Sequence, residues 1–204
     1  MSDETKIMLS EQELEIVKDT NWILTKQEII RKVYRLFNNQ IPAINTCLYD
    51  ISSVFPEAFK YGLPRISKGE NYNEYPYVML DYPASFSKEK IFALRTMFWW
   101  GHFFSITLHL SGEYKDWYEE RICSRLIQSE GSDFFVCVNE DQWQHHFEAS
   151  NYRELNQLGD AGLAYVFQEK DFLKIAIKID LANWNDIDSL LEAAYKKMIQ
   201  LLRD

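Results

Sequence analysis

The chain has 204 residues, 47% hydrophobic and 26% charged, with a net charge of -9 and a pI near 5.0. That is the composition of a globular protein able to bury a core without a disulfide or metal staple, and its acidic balance works against binding nucleic acid or an anionic membrane through bulk charge. Only 7 glycines and 5 prolines argue against long linkers and disorder, and the longest apolar runs are broken by Arg95 and His102, which leaves no segment that spans a membrane.

Three separated cysteines, Cys47, Cys123 and Cys137, sit in apolar stretches and read as buried reduced thiols. The opening MSDETK is polar and acidic, with no apolar stretch of the secretory kind after it, so the expected location is the cytoplasm.

In chain order, residues 1–9 read as a flexible tail. Ser10 and Glu13 stand at capping-box spacing before Leu14, Ile16 and Val17, which predicts a short helix to about Thr20. Thr25 and Glu28 repeat the spacing before a stripe from Ile29 to Phe37. Pro42 suits the first turn of a third helix, striped by Ile44, Cys47, Leu48, Ile51, Val54 and Phe55 and ended near Pro56. The polar stretch 60–75 reads as a loop. Tyr77–Tyr82 is a strand closed by Pro83, and Ile91–Trp100 and His102–Leu110 form a tight hairpin around Gly101.

The loop length of that hairpin sets its faces. With two residues, Phe92, Leu94, Thr96 and Phe98 share a face with Phe103, Ser105, Thr107 and His109; with three, the pairing of faces is swapped. Beyond it come a helix carrying Tyr114, Trp117, Tyr118, Ile122 and Leu126 and stopped at Gly131, then a second hairpin of 134–138 with 143–149. A short helix over 151–158 and a third hairpin of 163–168 with 172–179 follow. In the last strand Lys174, Ala176 and Lys178 face water. A final helix is capped by Asn185 with Asp188. The expected class is α+β: N-terminal helices, an antiparallel sheet of consecutive hairpins, an inserted helix and a C-terminal helix, in a single domain over 1–204.

Motifs of known chemistry are missing from the sequence. There is no HExxH, CxxC, Walker motif, GxGxxG or GxSxG, and His145 and His146 would point to opposite faces of a strand. Ser105 and His109 would lie roughly 13 Å apart along one. No metal and no cofactor are expected. The polar groups out of place among apolar neighbours are Arg95, with Asp81 and Glu70 as nearby acids, and His109. Arg95 reads first as half of a structural ion pair with a carboxylate, because a buried unpaired guanidinium is very costly. Its other reading is a contact for an anionic ligand, with Trp99 or Trp100 as platform and Tyr72 and Tyr77 at the rim.

The segment GENYNEYPYVMLDYP followed by FALRTMFWWGHFFSITLHLSG resembles an uncharacterised bacterial, Bacteroidetes-type protein family, mainly over residues 60–112. That resemblance implies a cytoplasmic bacterial protein; the family has no assigned activity, so it assigns no functional residue. Two functions are expected on the residues. One is a non-catalytic binding or protein-interaction module using the 61–76 loop and an exposed Trp99–Trp100 hairpin tip, with a homo-oligomer or another protein as partner. The alternative is a small-molecule or enzymatic pocket beside the sheet with Arg95, Asp81 and His109 as its polar groups.

Overall fold

The computed structural model describes residues 7–49, 62–129 and 133–203. The expected helix end at Pro56, the stop at Gly131 and most of the 1–9 tail lie outside them. Ser10 and Glu13 close the predicted capping box, the Ser10 N–H donating to Glu13 at 2.7 Å and the Glu13 N–H to the Ser10 hydroxyl at 3.2 Å. The helix they open is α1 (Glu11–Lys18). Asp19 then ends one helix and begins the next. Its N–H bonds the Glu15 and Ile16 carbonyls, and its carboxylate accepts from the N–H groups of Asn21 and Trp22 at 3.0 and 3.1 Å. The helix begun there is α2 (Thr20–Tyr49), so Thr25 and Glu28 fall inside it rather than at a start.

Pro42 also lies within α2, where a new helix was expected. A mid-helix proline costs about 3 kcal/mol. Burial of Leu36, Phe37, Ile44 and Cys47 on either side offsets it, at about 1.5–3 kcal/mol for each large side chain.

The 60–75 stretch is mostly strand. β1 (Arg65–Tyr72) and β2 (Tyr75–Phe86) pair through a two-residue turn, Asn73–Glu74, both at positive φ (46° and 71°), the geometry that matches strand twist. β1 is polar because it is the sheet's edge strand. β2 does not stop at Pro83: it runs on to Phe86 past an irregularity between Asp81 and Ala84, a usual place for a strand proline.

β3 (Ile91–Trp99) and β4 (Phe103–Ser111) form the predicted hairpin with a three-residue loop, since Trp99 pairs with Phe103 and Phe98 with Phe104. α3 (Glu113–Gln128) follows; Tyr114, Tyr118, Ile122 and Leu126 are buried, whereas Trp117 is exposed.

The next two expected hairpins do not form. β5 (Phe134–Cys137) pairs with β6 (Tyr152–Glu154), and residues 138–151 between them are irregular. α4 (Leu155–Glu169) takes the place of the strand expected over 163–168, and its apolar Leu155, Leu163, Val166 and Phe167 all turn inward. β7 (Phe172–Asp180) pairs with β4 and β5. A 3-10 turn (Leu181–Asp186) leads into α5 (Ile187–Gln200), preceded by Asp186 rather than capped by Asn185.

The seven strands run β1-β2-β3-β4-β7-β5-β6, every neighbouring pair antiparallel, so the class is α+β. No helix among the described residues is long and apolar enough to cross a membrane. Helices α2, α3, α4 and α5 cover one face. There Phe92, Leu94, Phe98, Phe104, Ile106, Leu108 and Ile175 meet Phe37, Ile122, Leu163 and Leu191. A polar contact within this core joins Thr96 and Tyr195, oxygen to oxygen 2.6 Å.

Two glycines at positive φ separate conformation from space. A Cβ at Gly101 (φ +75°) meets nothing within 4 Å, whereas one at Gly112 (φ +56°) falls 2.2 Å from the Glu89 carbonyl oxygen. Gly101→Ala is expected to cost about 1 kcal/mol, the left-handed backbone alone, and Gly112→Ala clearly more, because backbone must move. Urea unfolding of the two variants checks the order; equal losses would contradict it.

Candidate functional site

The three-residue loop decides which side chains meet. It turns Arg95, Met97 and Trp99 to the same face as Phe103, Ser105, Thr107 and His109, opposite to the helices. The two-residue pairing of faces is thereby ruled out. Register places Asp81 opposite Arg95 and Arg95 opposite Thr107, and His109 opposite Lys174 of β7. Asp81, Arg95, His109 and Lys174 therefore lie on one polar stripe across four strands.

Arg95 is closed on protein partners. Its Nε and Nη2 donate to the two oxygens of Asp81 at 2.7 and 3.1 Å, and its Nη1 lies 3.3 Å from His145 Nε2. This is a bidentate pair at 8% exposure for Asp81. Such a pair has strong geometry, and removing one partner of a buried pair costs about 3–5 kcal/mol. The structural reading of Arg95 thus has a direct geometric basis.

The covering layer is the irregular segment 138–151. Asn151, fully buried, holds its base: the Val138 N–H donates to the Asn151 carbonyl at 2.8 Å, the Asn151 amide donates to the His146 carbonyl at 2.5 Å, and the Cys137 thiol reaches its side-chain oxygen at 3.5 Å. Tyr72 holds its middle. The Tyr72 hydroxyl accepts from the N–H groups of His145 and His146 at 2.6 and 3.1 Å and donates to Gln144 at 3.3 Å. Phe147 closes the far side, packing edge-on against Phe103 and Phe135 and stacked on Tyr152.

Under this segment sit groups that the sequence reading had assigned to water or left out. Lys174 is 1% exposed, not on a wet face. Its ammonium donates to the Gln144 carbonyl at 2.5 Å and lies 5.4 Å from the Tyr152 ring centre. No carboxylate among the described residues pairs with it. Burial first, and Arg95 second, pull its pKa down to about 8, the Cys137 sulfur opposing them. His109 lies 2.9 Å from Gln142 Oε1, so its Nε2 carries the proton. Burial and the Lys174 cation hold it down to about 3. The same two causes, with Arg95, keep His145 well below its ordinary value, and burial pushes the Tyr152 hydroxyl well above its own. That hydroxyl meets no partner in good hydrogen-bond geometry. Both histidines are therefore neutral at pH 7 and the stripe carries two cations against one carboxylate.

The remaining expected residues lie elsewhere. Trp99 is 5% exposed, not a tip: its Nε1 donates to the Tyr72 carbonyl at 3.2 Å, and His102 stacks on it at 3.6 Å. Trp100 is half-buried on the helix side against Phe98. The exposed aromatic pair is absent because the odd loop length sends successive residues into opposite cores. Tyr77 lies half-buried beside Tyr72, in space that Gly69 leaves; a Cβ there would fall 2.5 Å from the Tyr77 ring. Among the described residues no group of three His, Cys, Asp or Glu side chains is arranged to hold a metal ion.

The described cavities lie away from the polar stripe. The largest, about 610 Å³, is a groove between α2 and the edge strand β1, lined by Ile23, Lys26, Ile30, Tyr34, Lys68 and Glu70 among others and bridged by a Lys26–Glu70 ion pair at 2.7 Å. It adjoins an uncovered region. No residue from Ile7 to Lys32 is buried; Val33 is the first that is. Ile7, Met8, Leu9, Leu14, Ile16, Val17, Trp22, Ile23 and Leu24 are all exposed, in one continuous arm. The sequence showed the α1 stripe but not that the described residues leave it uncovered.

No family model matches the chain, and neither a curated protein nor a solved structure matches it.

The buried histidines give the polar stripe a pH signature. A histidine near 3 when folded and about 6.5 when unfolded takes up its proton only on unfolding, so stability is lost as pH falls from about 6.5 toward 3. Each unit of separation is worth about 1.4 kcal/mol. His109→Gln, which retains a donor for Gln142, is expected to flatten the stability–pH slope between pH 4 and 6 by about one proton. Urea unfolding across that range measures it, and an unchanged slope would mean His109 is not buried neutral.

Proposed function

We propose that the chain is a non-catalytic protein-interaction module whose binding surface is the N-terminal arm, α1 with the first turns of α2, together with the groove beside β1. The observation that carries this reading is the concentration of exposed apolar side chains within residues 7–24. Single exposed apolar residues are ordinary, whereas a contiguous patch marks a contact surface. Strand β1 takes part through Lys68 and Glu70 on the groove wall, and the Trp99–Trp100 turn does not.

The arm contributes nothing to the core, so its apolar residues do not stabilise the fold. Leu14→Ser with Val17→Ser and Trp22→Ser is expected to leave Tm within about 3 °C of the parent, since exposed substitutions cost under about 0.5 kcal/mol each. A photo-crosslinking amino acid at position 17 should yield a discrete adduct in cells, and one at the exposed Trp117 should not. Equal labelling from both positions would remove the support for this surface.

A small-molecule site in the polar stripe is the second reading, favoured by the convergence of Arg95, Asp81, His109, Lys174 and Tyr152 beneath one segment. It is weaker because the Arg95, Asp81 and His109 groups already have protein partners. Native mass spectrometry of gently purified protein tests it: a retained small molecule supports it, and a bare 24.3 kDa chain counts against it.

A further inference from the structure

We infer that the α2–β1 groove is the seat for α1 of a second copy of this chain, so that two copies associate by reciprocal exchange of their N-terminal arms. The inference rests on the reading of the arm as an interaction surface and names its partner.

Three observations lead to it. The first is charge. The charged positions of α1 are Glu11, Glu13 and Glu15 against a single Lys18. The groove is lined by Lys26, Arg31 and Lys68 with Glu70; Lys26 pairs with Glu70 and Arg31 with the neighbouring Glu28, which leaves a cationic excess at Lys68. In a chain of net charge -9, a cation-rich apolar groove beside an acid-rich apolar helix is a complementary pair, which guides association and sets register.

The second is length. α1 has 8 residues, about 12 Å at 1.5 Å per residue. The groove wall from Ile23 to Tyr34 runs along three turns of α2, roughly 16 Å. Leu14 and Val17, one turn apart on α1, match the apolar floor of Ile23, Ile30 and Tyr34.

The third is the joint, which denies the groove to the chain's own α1. Asp19 alone separates Lys18 from Thr20, and its hydrogen bonds to both helices hold it in place. Two helices that fold back on each other need a connection of about 2–5 residues. With one residue, α1 stays uncovered, none of its residues buried. The chain thus carries a helix and a fitting groove that cannot meet within one molecule. A two-fold exchange satisfies both, and uses each surface twice toward the roughly 1,200 Å² that a specific interface buries.

Sedimentation velocity on the full chain tests this. The parent at micromolar concentration is expected to run at twice 24.3 kDa, and raising salt to about 1 M, where the Debye length is roughly 3 Å, should weaken the dimer. Leu14→Asp with Val17→Asp disables the arm, and Arg31→Gln with Lys68→Glu disables the groove. All four positions are exposed, so both variants should melt like the parent and run as monomers. Mixed one to one they should form a dimer again, because one intact arm then meets one intact groove. A monomeric parent overturns the proposal, as does a dimer that neither variant dissociates or a mixture that stays monomeric. If the parent is monomeric yet a crosslinker at position 17 captures a different protein, the second copy is wrong and the arm remains an interaction surface. If no adduct depends on the arm, both readings fall.

Discussion

The register of the β3–β4 hairpin is the constraint on which the rest of the structure depends. With Trp100, Gly101 and His102 in the loop, Phe92, Leu94 and Phe98 join Phe104, Ile106, Leu108 and Leu110 on one apolar face. That face is continuous enough to take four helices. A slip of one residue would put Arg95 and Asp81 under those helices and Leu94 and Phe98 under a polar loop, reversing the burial of the central strands. Gly101 at φ +75° is what lets so short a loop turn.

The same sorting creates an unusual second face. A sheet of this kind commonly leaves one side in water. Here the 138–151 segment covers it with backbone groups and amides as well as the Phe147 ring. The charged groups and His109 beneath find partners in that segment or across the strands, Arg95 on Asp81 and His145, His109 on Gln142, Lys174 on the Gln144 carbonyl, whereas the Tyr152 hydroxyl does not. Tyr72, reaching from the edge strand, ties the segment down at two successive amides. The cover is therefore as much a product of these hydrogen bonds as of Phe147 packing, and a buried network of this sort depends on nearly all its members being satisfied.

The N-terminal arm stands outside both layers. The contrast between α1 and α5 is instructive, because their sequences carry apolar stripes of the same helical kind. α5 buries Ile187, Leu191, Ala194, Tyr195 and Met198 against the sheet, whereas α1 buries nothing. The difference is reach. A one-residue joint at Asp19 and the long lever of α2 carry α1 away from the core, so a stripe that would otherwise stabilise the fold is left for another surface.

The sequence by itself determined the class, the Ser10–Glu13 cap, the central hairpin and the apolar stripes of the helices. These depend on contacts within a few residues or on a period that any window displays. It also marked Arg95 as half of an ion pair, because a guanidinium between Ala93 and Met97 needs a carboxylate, but left Asp81 and Glu70 both open as the partner. Only the tertiary structure decided what covers what. Alternation in β7 told that Lys174 faces away from the core, but a distant segment, 138–151, made that side an interior. The polar composition of β1 concealed a strand because an edge needs no apolar alternation, and the second part of α4, 163–168, read as a strand because short apolar runs look alike in either form. Trp99 lost its exposure to Tyr72 and His102, and α1 kept its own because none of the described residues covers it. Period and capping are written locally; burial is a property of which remote segments arrive.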